Sequence, residues 1–228
     1  MKRFIQTSRP KDKGNICIVN DKLLLHQYHE PLVIYDLNKL INNLIPSQDC
    51  IDFSFSGEAN INSNIVTDGN NCYFCSWELK DEEKNEHVLY VYAVSLENYA
   101  IIWNYQIEEP AYSGVHYVHL YKNQLFLAAD YGCVYSLNAS NGKLLWSTKI
   151  TDKEHYQNIL TEGVILEKYF VIPCDSNGWL YYFDITNGKI VGKKYVPVFG
   201  GRRHCYVEDD YLYITTGSYI TRLRLKNR

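Results

Sequence analysis

Apolar and polar positions alternate along this chain in short runs broken by polar turns, the period-two pattern of half-buried strands. The clearest run is Val134-Tyr135-Ser136-Leu137-Asn138, followed by the polar Ala139-Ser140-Asn141-Gly142 and then by Lys143-Leu144-Leu145-Trp146. Asn141-Gly142 between two such runs predicts a tight hairpin of type I′, in which both central residues take positive φ. The run recurs. About 46 residues later the chain reads Leu180-Tyr181-Tyr182-Phe183-Asp184-Ile185-Thr186-Asn187-Gly188-Lys189-Ile190. About 43 residues earlier it reads Val91-Tyr92-Ala93-Val94-Ser95-Leu96-Glu97-Asn98-Tyr99-Ala100-Ile101-Ile102-Trp103. A repeat of this length predicts a propeller or another array of small antiparallel units.

Each repeat can be written as four strands. In the third they are Val115–Tyr121, Gln124–Ala129, Cys133–Asn138 and Lys143–Thr148, with turns at Lys122-Asn123 and Asp130-Tyr131-Gly132. The fourth has Gly163–Glu167, Tyr169–Cys174, Trp179–Ile185 and Lys189–Tyr195. The second has Ser63–Thr67, Cys72–Trp77, Val88–Ser95 and Ala100–Ile107, with a charged insert, Lys80–His87, read as an extended hairpin loop in water. The first is less regular: Asn15–Asn20, Lys22–Gln27 and Leu32–Leu37, with Ile51–Phe55 expected as the fourth strand beyond a long loop, Asn42–Cys50. The last shows only Arg203–Val207, Tyr211–Thr215 and Tyr219–Leu225.

The missing strand has a candidate in Arg3–Thr7, which precedes the first repeat. Pairing it with the last repeat would close a ring and remove an exposed edge. The expectation is a single all-β domain over 1–228, a five-bladed β-propeller of four-stranded antiparallel blades. The blades fall at about 15–55, 63–107, 115–148, 163–195 and 203–225 plus 3–7.

Composition agrees. The chain is 46% hydrophobic with 21 Tyr against one Met, suiting pleated, half-buried surfaces. A net charge of −3 leaves no nucleic-acid footprint. Seven Cys without regular spacing suggest free buried thiols in a reducing compartment. The basic Met1 to Lys11 stretch has no apolar core like that of a secretory signal, and no window spans a bilayer, so a cytoplasmic location and no membrane partner are expected.

Leu137-Asn138-Ala139-Ser140-Asn141-Gly142-Lys143-Leu144-Leu145-Trp146 resembles the repeat of the quinoprotein (PQQ)-like propellers, Ala-Leu-Asp-x-x-Thr-Gly-Lys-x-x-Trp. Phe183 to Lys189 matches the same pattern, with Gly192 in place of the Trp, and Leu96 to Trp103 matches with Tyr99 in place of the Gly. The resemblance implies that Trp103 and Trp146 pack between neighbouring blades. It does not bring the quinone: no residues map onto that family's cofactor and calcium site, so no cofactor is expected.

Other motifs are weak. Cys72-Tyr73-Phe74-Cys75, His26-x-x-His29 and His116-x-x-His119 have metal-like spacing, but i and i+3 on a strand point to opposite faces, so no metal is expected. Asp68, Asp130 and Asp175 sit near strand ends in what read as comparable places, in the role of turn caps.

The non-repeating links between blades carry the functional expectation, because function concentrates in loops held by a rigid scaffold. Tyr112, His116, Tyr131, His155, Tyr156, Arg202, Arg203 and His204 would form part of one partner-binding face, Tyr and Arg being common interface anchors. The expected function is a non-enzymatic protein-binding propeller, in its finer form a bacterial immunity protein that blocks a toxin. One alternative is a carbohydrate-binding propeller, disfavoured because Asp130-Tyr131-Gly132, Asp175-Ser176-Asn177-Gly178 and Thr216-Gly217-Ser218 differ from blade to blade. Another is a glycoside hydrolase, which would place two carboxylates roughly 5–10 Å apart across the channel.

Overall fold

The computed structural model describes residues 15–26, 32–42, 48–51, 60–81, 86–108, 114–129, 132–150, 162–174, 178–196, 204–215 and 220–225. They form a five-bladed β-propeller of antiparallel sheets in chain order. Blade 1 holds β1 (Asn15–Val19), β2 (Lys22–His26), β3 (Leu32–Asp36) and β4 (Gln48–Ile51), with a short helix α1 (Leu37–Ile41) between the last two. Blade 2 holds β5 (Asn60–Ile61), β6 (Val66–Thr67), β7 (Asn71–Asp81), β8 (Glu86–Ser95) and β9 (Ile101–Ile107). There β5 and β6 both pair with β7, as two halves of one interrupted inner strand. Blade 3 holds β10 (Val115–Tyr121), β11 (Gln124–Ala129), β12 (Cys133–Asn138) and β13 (Leu144–Lys149). Blade 4 holds β14 (Val164–Leu166), β15 (Tyr169–Pro173), β16 (Trp179–Asp184) and β17 (Ile190–Tyr195). Blade 5 shows β18 (His204–Glu208), β19 (Tyr211–Thr215) and β20 (Ile220–Arg224). Arg3–Thr7, expected as its fourth strand, lies outside the described residues.

One backbone hydrogen bond repeats in all five blades. The residue that leaves the third strand donates its N–H to the turn between the first two strands: Leu37 to Asp21 O, Leu96 to Asn70 O, Ala139 to Asn123 O, Ile185 to Lys168 O and Leu225 to Asp210 O, at 2.7–3.0 Å. The first and last repeats, which match the others only by strand pattern, therefore share this turn contact.

Four buried clusters join successive blades. Leu24 and Ile34 meet Phe74 and Val94; Val91 and Ile107 meet Leu125 and Leu137; Phe126 and Trp146 meet Phe170 and Phe183; Val171 and Leu180 meet Leu212 and Ile214. Alternation along each strand sends one row of side chains to the preceding blade and the other to the following one. At the two ends of the series this leaves a row uncovered: Ile16 is 63% exposed, Ile18 61% and Ile220 69%. No buried cluster joins blade 5 to blade 1 among the described residues.

Indoles lock two of the joints. Trp103 of blade 2 lies on the blade 3 hairpin, where a Cβ at Gly142 would sit 2.6 Å from its ring, and its Nε1 donates to Ala139 O at 2.9 Å. Trp146 of blade 3 lies on the blade 4 hairpin in the same way, 2.4 Å from a Cβ at Gly188, with Nε1 donating to Ile185 O at 3.0 Å. At the joint of blades 1 and 2 a cation replaces the indole. Lys22 Nζ donates to Leu96 O, the carbonyl equivalent to Ala139 O, and stands 4.8 Å from the ring centre of Tyr99, which occupies the glycine position.

Several expectations are corrected. The Asn141-Gly142 hairpin is not type I′: only Gly142 has positive φ, and Asn138 O accepts from Gly142 N at 2.8 Å across a wider loop. The Asn138 and Asn141 side chains accept from Ser140 N and Lys143 N, so the loop is built on side-chain turns with a single left-handed residue. The ends of the charged insert of blade 2 continue the ladder, since Leu79 pairs with His87 and Asp81 with Glu86, and residues 82–85 lie outside the described residues. The fourth strand of blade 1 is described over Gln48–Ile51 and so starts before the expected Ile51–Phe55, of which residues 52–55 lie outside the described residues; α1, capped by the Asp36 side chain accepting from Lys39 N, shortens the connection.

The locking role of the indoles can be measured by urea unfolding. Trp146→Ala should cost about 3–5 kcal/mol. Gly188→Ala should cost about 2 kcal/mol or more, since it combines left-handed strain with a clash. Gly192→Ala, whose Cβ would meet nothing within 4 Å, should stay within about 0.5 kcal/mol of wild type. Equal losses from the two glycines would contradict the indole-on-glycine joint.

Candidate functional site

The first strand of each blade lines the propeller axis. A cavity of about 490 Å³ lies there, walled by Asn64 and Val66 of blade 2, Val118 to Tyr121 of blade 3, Glu162 to Ile165 of blade 4 and Cys205 to Val207 of blade 5. Its depth follows from the repeated turn bond. Six residues before each of the five turn carbonyls stand Asn15, Asn64, Tyr117, Glu162 and His204. That level is where the inner strands begin, and it opens on the face from which the links between blades emerge.

Asn64 is built into this wall. Its Oδ1 accepts from Val118 N at 2.6 Å and its Nδ2 donates to Val118 O at 3.1 Å, so one amide covers the inner edge of β10 beside the register shift between Val115 and Val118. Deeper in the cavity, the His119 ring meets Phe170 edge-on at 5.3 Å, and its Nε2 is buried with no hydrogen-bond partner. Burial pushes this imidazole down to about 4. Tyr206 stacks on Tyr213 at 4.8 Å and stays 44% exposed. Glu162 is the one carboxylate among the described lining residues, so the carboxylate pair of a glycoside hydrolase gains no support there.

Of the expected partner-binding residues, His116 and His204 are described in backbone only, at the starts of β10 and β18 and therefore at the cavity mouth. Tyr112, Tyr131, His155, Tyr156, Arg202 and Arg203 lie outside the described residues. Asn64, His119, Glu162 and Tyr206 were missed as site residues, because nothing in the linear order of one repeat shows which inner-strand positions of the other blades share the channel with it.

The three aspartates are not comparable. Asp68 sits in the turn between β6 and β7, at the end opposite the mouth, while Asp130 and Asp175 belong to links between second and third strands and lie outside the described residues. Asp68 is a turn cap. Burial raises its carboxyl, but hydrogen bonds from Tyr73 Oη and from the N–H groups of Asn71 and Asn70 outweigh that and leave it lowered. The thiols of Cys72 and Cys75 point into different joints, toward blade 1 and blade 3, and burial pushes Cys72 up to about 12. Among the described residues no three metal-ligating side chains come together, and no helix is long and apolar enough to cross a membrane.

No protein-family model matches the chain. Over 90 residues it is 33% identical to the outer membrane protein assembly factor BamB of Shewanella oneidensis, a match that takes in 40% of this chain and 22% of that protein. Among solved structures it superposes on BamB from Moraxella catarrhalis with a TM-score of 0.63 at 14% identity, over 92% of this chain and 57% of that one. Raptor from Chaetomium thermophilum gives 0.67 at 12% identity, over 94% of this chain and 20% of that one. The match to the Shewanella protein and the BamB superposition support the PQQ-like propeller resemblance; the chain spans about a fifth of the one and over half of the other.

Two buried histidines give the fold a pH dependence. His26 Nδ1, like His119 Nε2, is buried without a partner, and burial brings both imidazoles down to about 4 from 6.5. Between these values the unfolded chain binds protons that the folded one does not. Stability is therefore full above about pH 6.5 and falls as the pH drops toward 4. Urea midpoints should decline from pH 7 to pH 5, and changing both residues to leucine should flatten that decline. A flat wild-type profile would contradict the burial of neutral imidazoles.

Proposed function

We propose that this chain is a protein-binding propeller with no catalytic chemistry of its own, engaging its partner on the face where the blade-to-blade links surround the cavity mouth. The observation that carries this reading is the contrast between the two ends of the inner strands. At one end the turns repeat in all five blades with the same hydrogen bond; at the other, the links between blades differ in sequence. A rigid, self-satisfied scaffold presenting one variable face is suited to recognition.

The likeness to an outer membrane protein assembly factor supports a protein as partner. A toxin partner, and with it an immunity role, draws no support from the geometry, so the proposal stops at a protein. Cytoplasmic location stays part of the proposal; recovery of the native protein in an envelope fraction would replace it. A carbohydrate ligand is the lesser reading, because the cavity walls differ from blade to blade.

The partner should copurify from the native cell with wild-type protein. It should be lost with Arg202→Glu combined with Tyr156→Ala, while thermal melting is unchanged. Equal recovery by the double variant would remove the proposed face.

A further inference from the structure

Blade 5 lacks the device that turns the chain out of the third strand in the other blades. In blades 1 to 4 the last residue of that strand is a turn former whose side chain accepts a backbone N–H two or three residues on. Asp36 accepts from Lys39, Ser95 from Glu97, Asn138 from Ser140 and Asp184 from Thr186. In blades 2, 3 and 4 the N–H of the same residue donates to the returning chain: Ser95 to Ala100 O, Asn138 to Lys143 O and Asp184 to Lys189 O, at 2.8–2.9 Å. The residue in that place in blade 5 is Arg224, one before the Leu225 that makes the repeated turn bond. Its side chain holds no acceptor and cannot cap a turn. Among the described residues no strand pairs with the outer edge of β20.

The ladder shows what that edge offers. Leu225 N bonds inward to Asp210 O, and in the same register Leu223 stands opposite Leu212 and Thr221 opposite Ile214. Inward and outward backbone groups alternate in an antiparallel ladder. The N–H and C=O of Ile220, Arg222 and Arg224 therefore point away from β19, and the side chains of these residues are exposed. Arg222 stands opposite Tyr213 and 4.5 Å over the ring of Tyr211, which is itself opposite Arg224. Neither guanidinium has a carboxylate partner among the described residues. Charge then decides what fits. The segment 220–228 carries Arg222, Arg224, Lys226 and Arg228 and no acid, and the chain's own 1–11 carries Lys2, Arg3, Arg9 and Lys11 and no acid. Like charges opposite each other destabilise a strand pair, and opposite charges stabilise it.

We propose that the outer edge of β20 receives an extended acidic segment of a protein partner as the fourth strand of blade 5. Carboxylates at alternate positions of the segment meet Arg222 and Arg224, and its backbone completes the ladder. The proposal rests on the protein-partner reading and adds a contact at the rim of the ring, apart from the loop face. Repulsion disfavours a basic segment, the chain's own N-terminal one included.

The test uses the full chain, isotope-labelled, and reads amide exchange and resonance shifts along β20. In the free protein the Arg222 and Arg224 amides should exchange quickly, and those of Thr221 and Leu223, directed at β19, slowly. Slow exchange at all four would mean an edge paired by the chain itself and would overturn the proposal. The probes are acetyl-Thr-Glu-Val-Glu-Thr-amide, its lysine counterpart acetyl-Thr-Lys-Val-Lys-Thr-amide, and the glutamate peptide with both glutamate nitrogens methylated. The glutamate peptide should shift the Arg222 and Arg224 amides saturably and slow their exchange; the lysine peptide should do neither. The methylated peptide keeps its charge but cannot donate to the ladder, so it should bind about fivefold more weakly or worse and leave exchange fast. Arg222→Gln combined with Arg224→Gln should weaken the glutamate peptide by about tenfold, two exposed ion pairs at a few-fold each, with melting little changed.

Equal binding of the glutamate and lysine peptides, or none by the glutamate peptide, would sink the proposal. Undiminished binding of the methylated peptide would reduce the contact to charge and overturn strand addition. Unchanged affinity in the double variant would remove the arginines from it. Two outcomes separate this proposal from the reading beneath it. If Arg222→Glu with Arg224→Glu still recovers the native partner at wild-type yield, the edge assignment fails and the protein-partner reading stands. If the glutamate peptide binds but wild-type protein recovers no partner, the protein-partner reading fails and the strand-accepting edge stands.

Discussion

An indole can lie flat on a hairpin turn only where the turn residue has no side chain, and this steric condition organises the middle of the molecule. Trp103 on Gly142 and Trp146 on Gly188 each bring a ring to a place where a Cβ would stand 2.4–2.6 Å away. The nitrogen of the same ring satisfies a turn carbonyl of the next blade. One side chain thus supplies apolar burial and a directional bond across a joint. A blade by itself cannot bury both faces of its sheet, so its stability comes from such joints.

The exceptions follow the same logic. Where Tyr99 stands at the glycine position, an indole would have no room, and Lys22 bonds the equivalent carbonyl instead. Where blade 4 carries Gly192 at the tryptophan position, a Cβ would meet nothing within 4 Å, so no turn is pressed against it. The joints are therefore graded: two are locked by indoles, one is bridged by an ammonium group, and the joint of blades 4 and 5 rests on its buried apolar cluster. The outward rows of blades 1 and 5 stay exposed, as Ile16, Ile18 and Ile220 show.

That arrangement separates structure from recognition within each blade. The repeated turn bond uses only backbone atoms, so Asp21, Asn70, Asn123, Lys168 and Asp210 serve equally well there. At the other face the recurring turn bond among the described residues is confined to blades 3 and 4, where Ile150 N donates to Gly132 O and Val196 N to Gly178 O, both at 2.9 Å. Asn64, Glu162 and His204 stand at one level for unrelated reasons, and this freedom lets the mouth acquire chemistry without disturbing the blades.

The repeated hairpins with their Gly and Trp and the five strand groups were legible in the sequence, because period and alternation are local properties of the chain; the inter-blade role of Trp103 and Trp146 came only from the resemblance to the PQQ-like repeat. The turn type was not: Asn141-Gly142 favours a type I′ loop, but Asn138 and Asn141 bond neighbouring N–H groups and leave Gly142 alone in the left-handed region. The start of β4 was hidden for a similar reason, since α1 shortens a connection that reads as a long loop. The cavity could not be read from linear order at all. Asn64, His119, Glu162 and Tyr206 come from four blades, and only the ring of inner strands gathers them around one axis. The sequence by itself determined the blades, because each is built from neighbours along the chain. The tertiary structure alone decided which polar side chains share the channel and which imidazoles lose their solvent, because both depend on contacts between residues one or more blades apart.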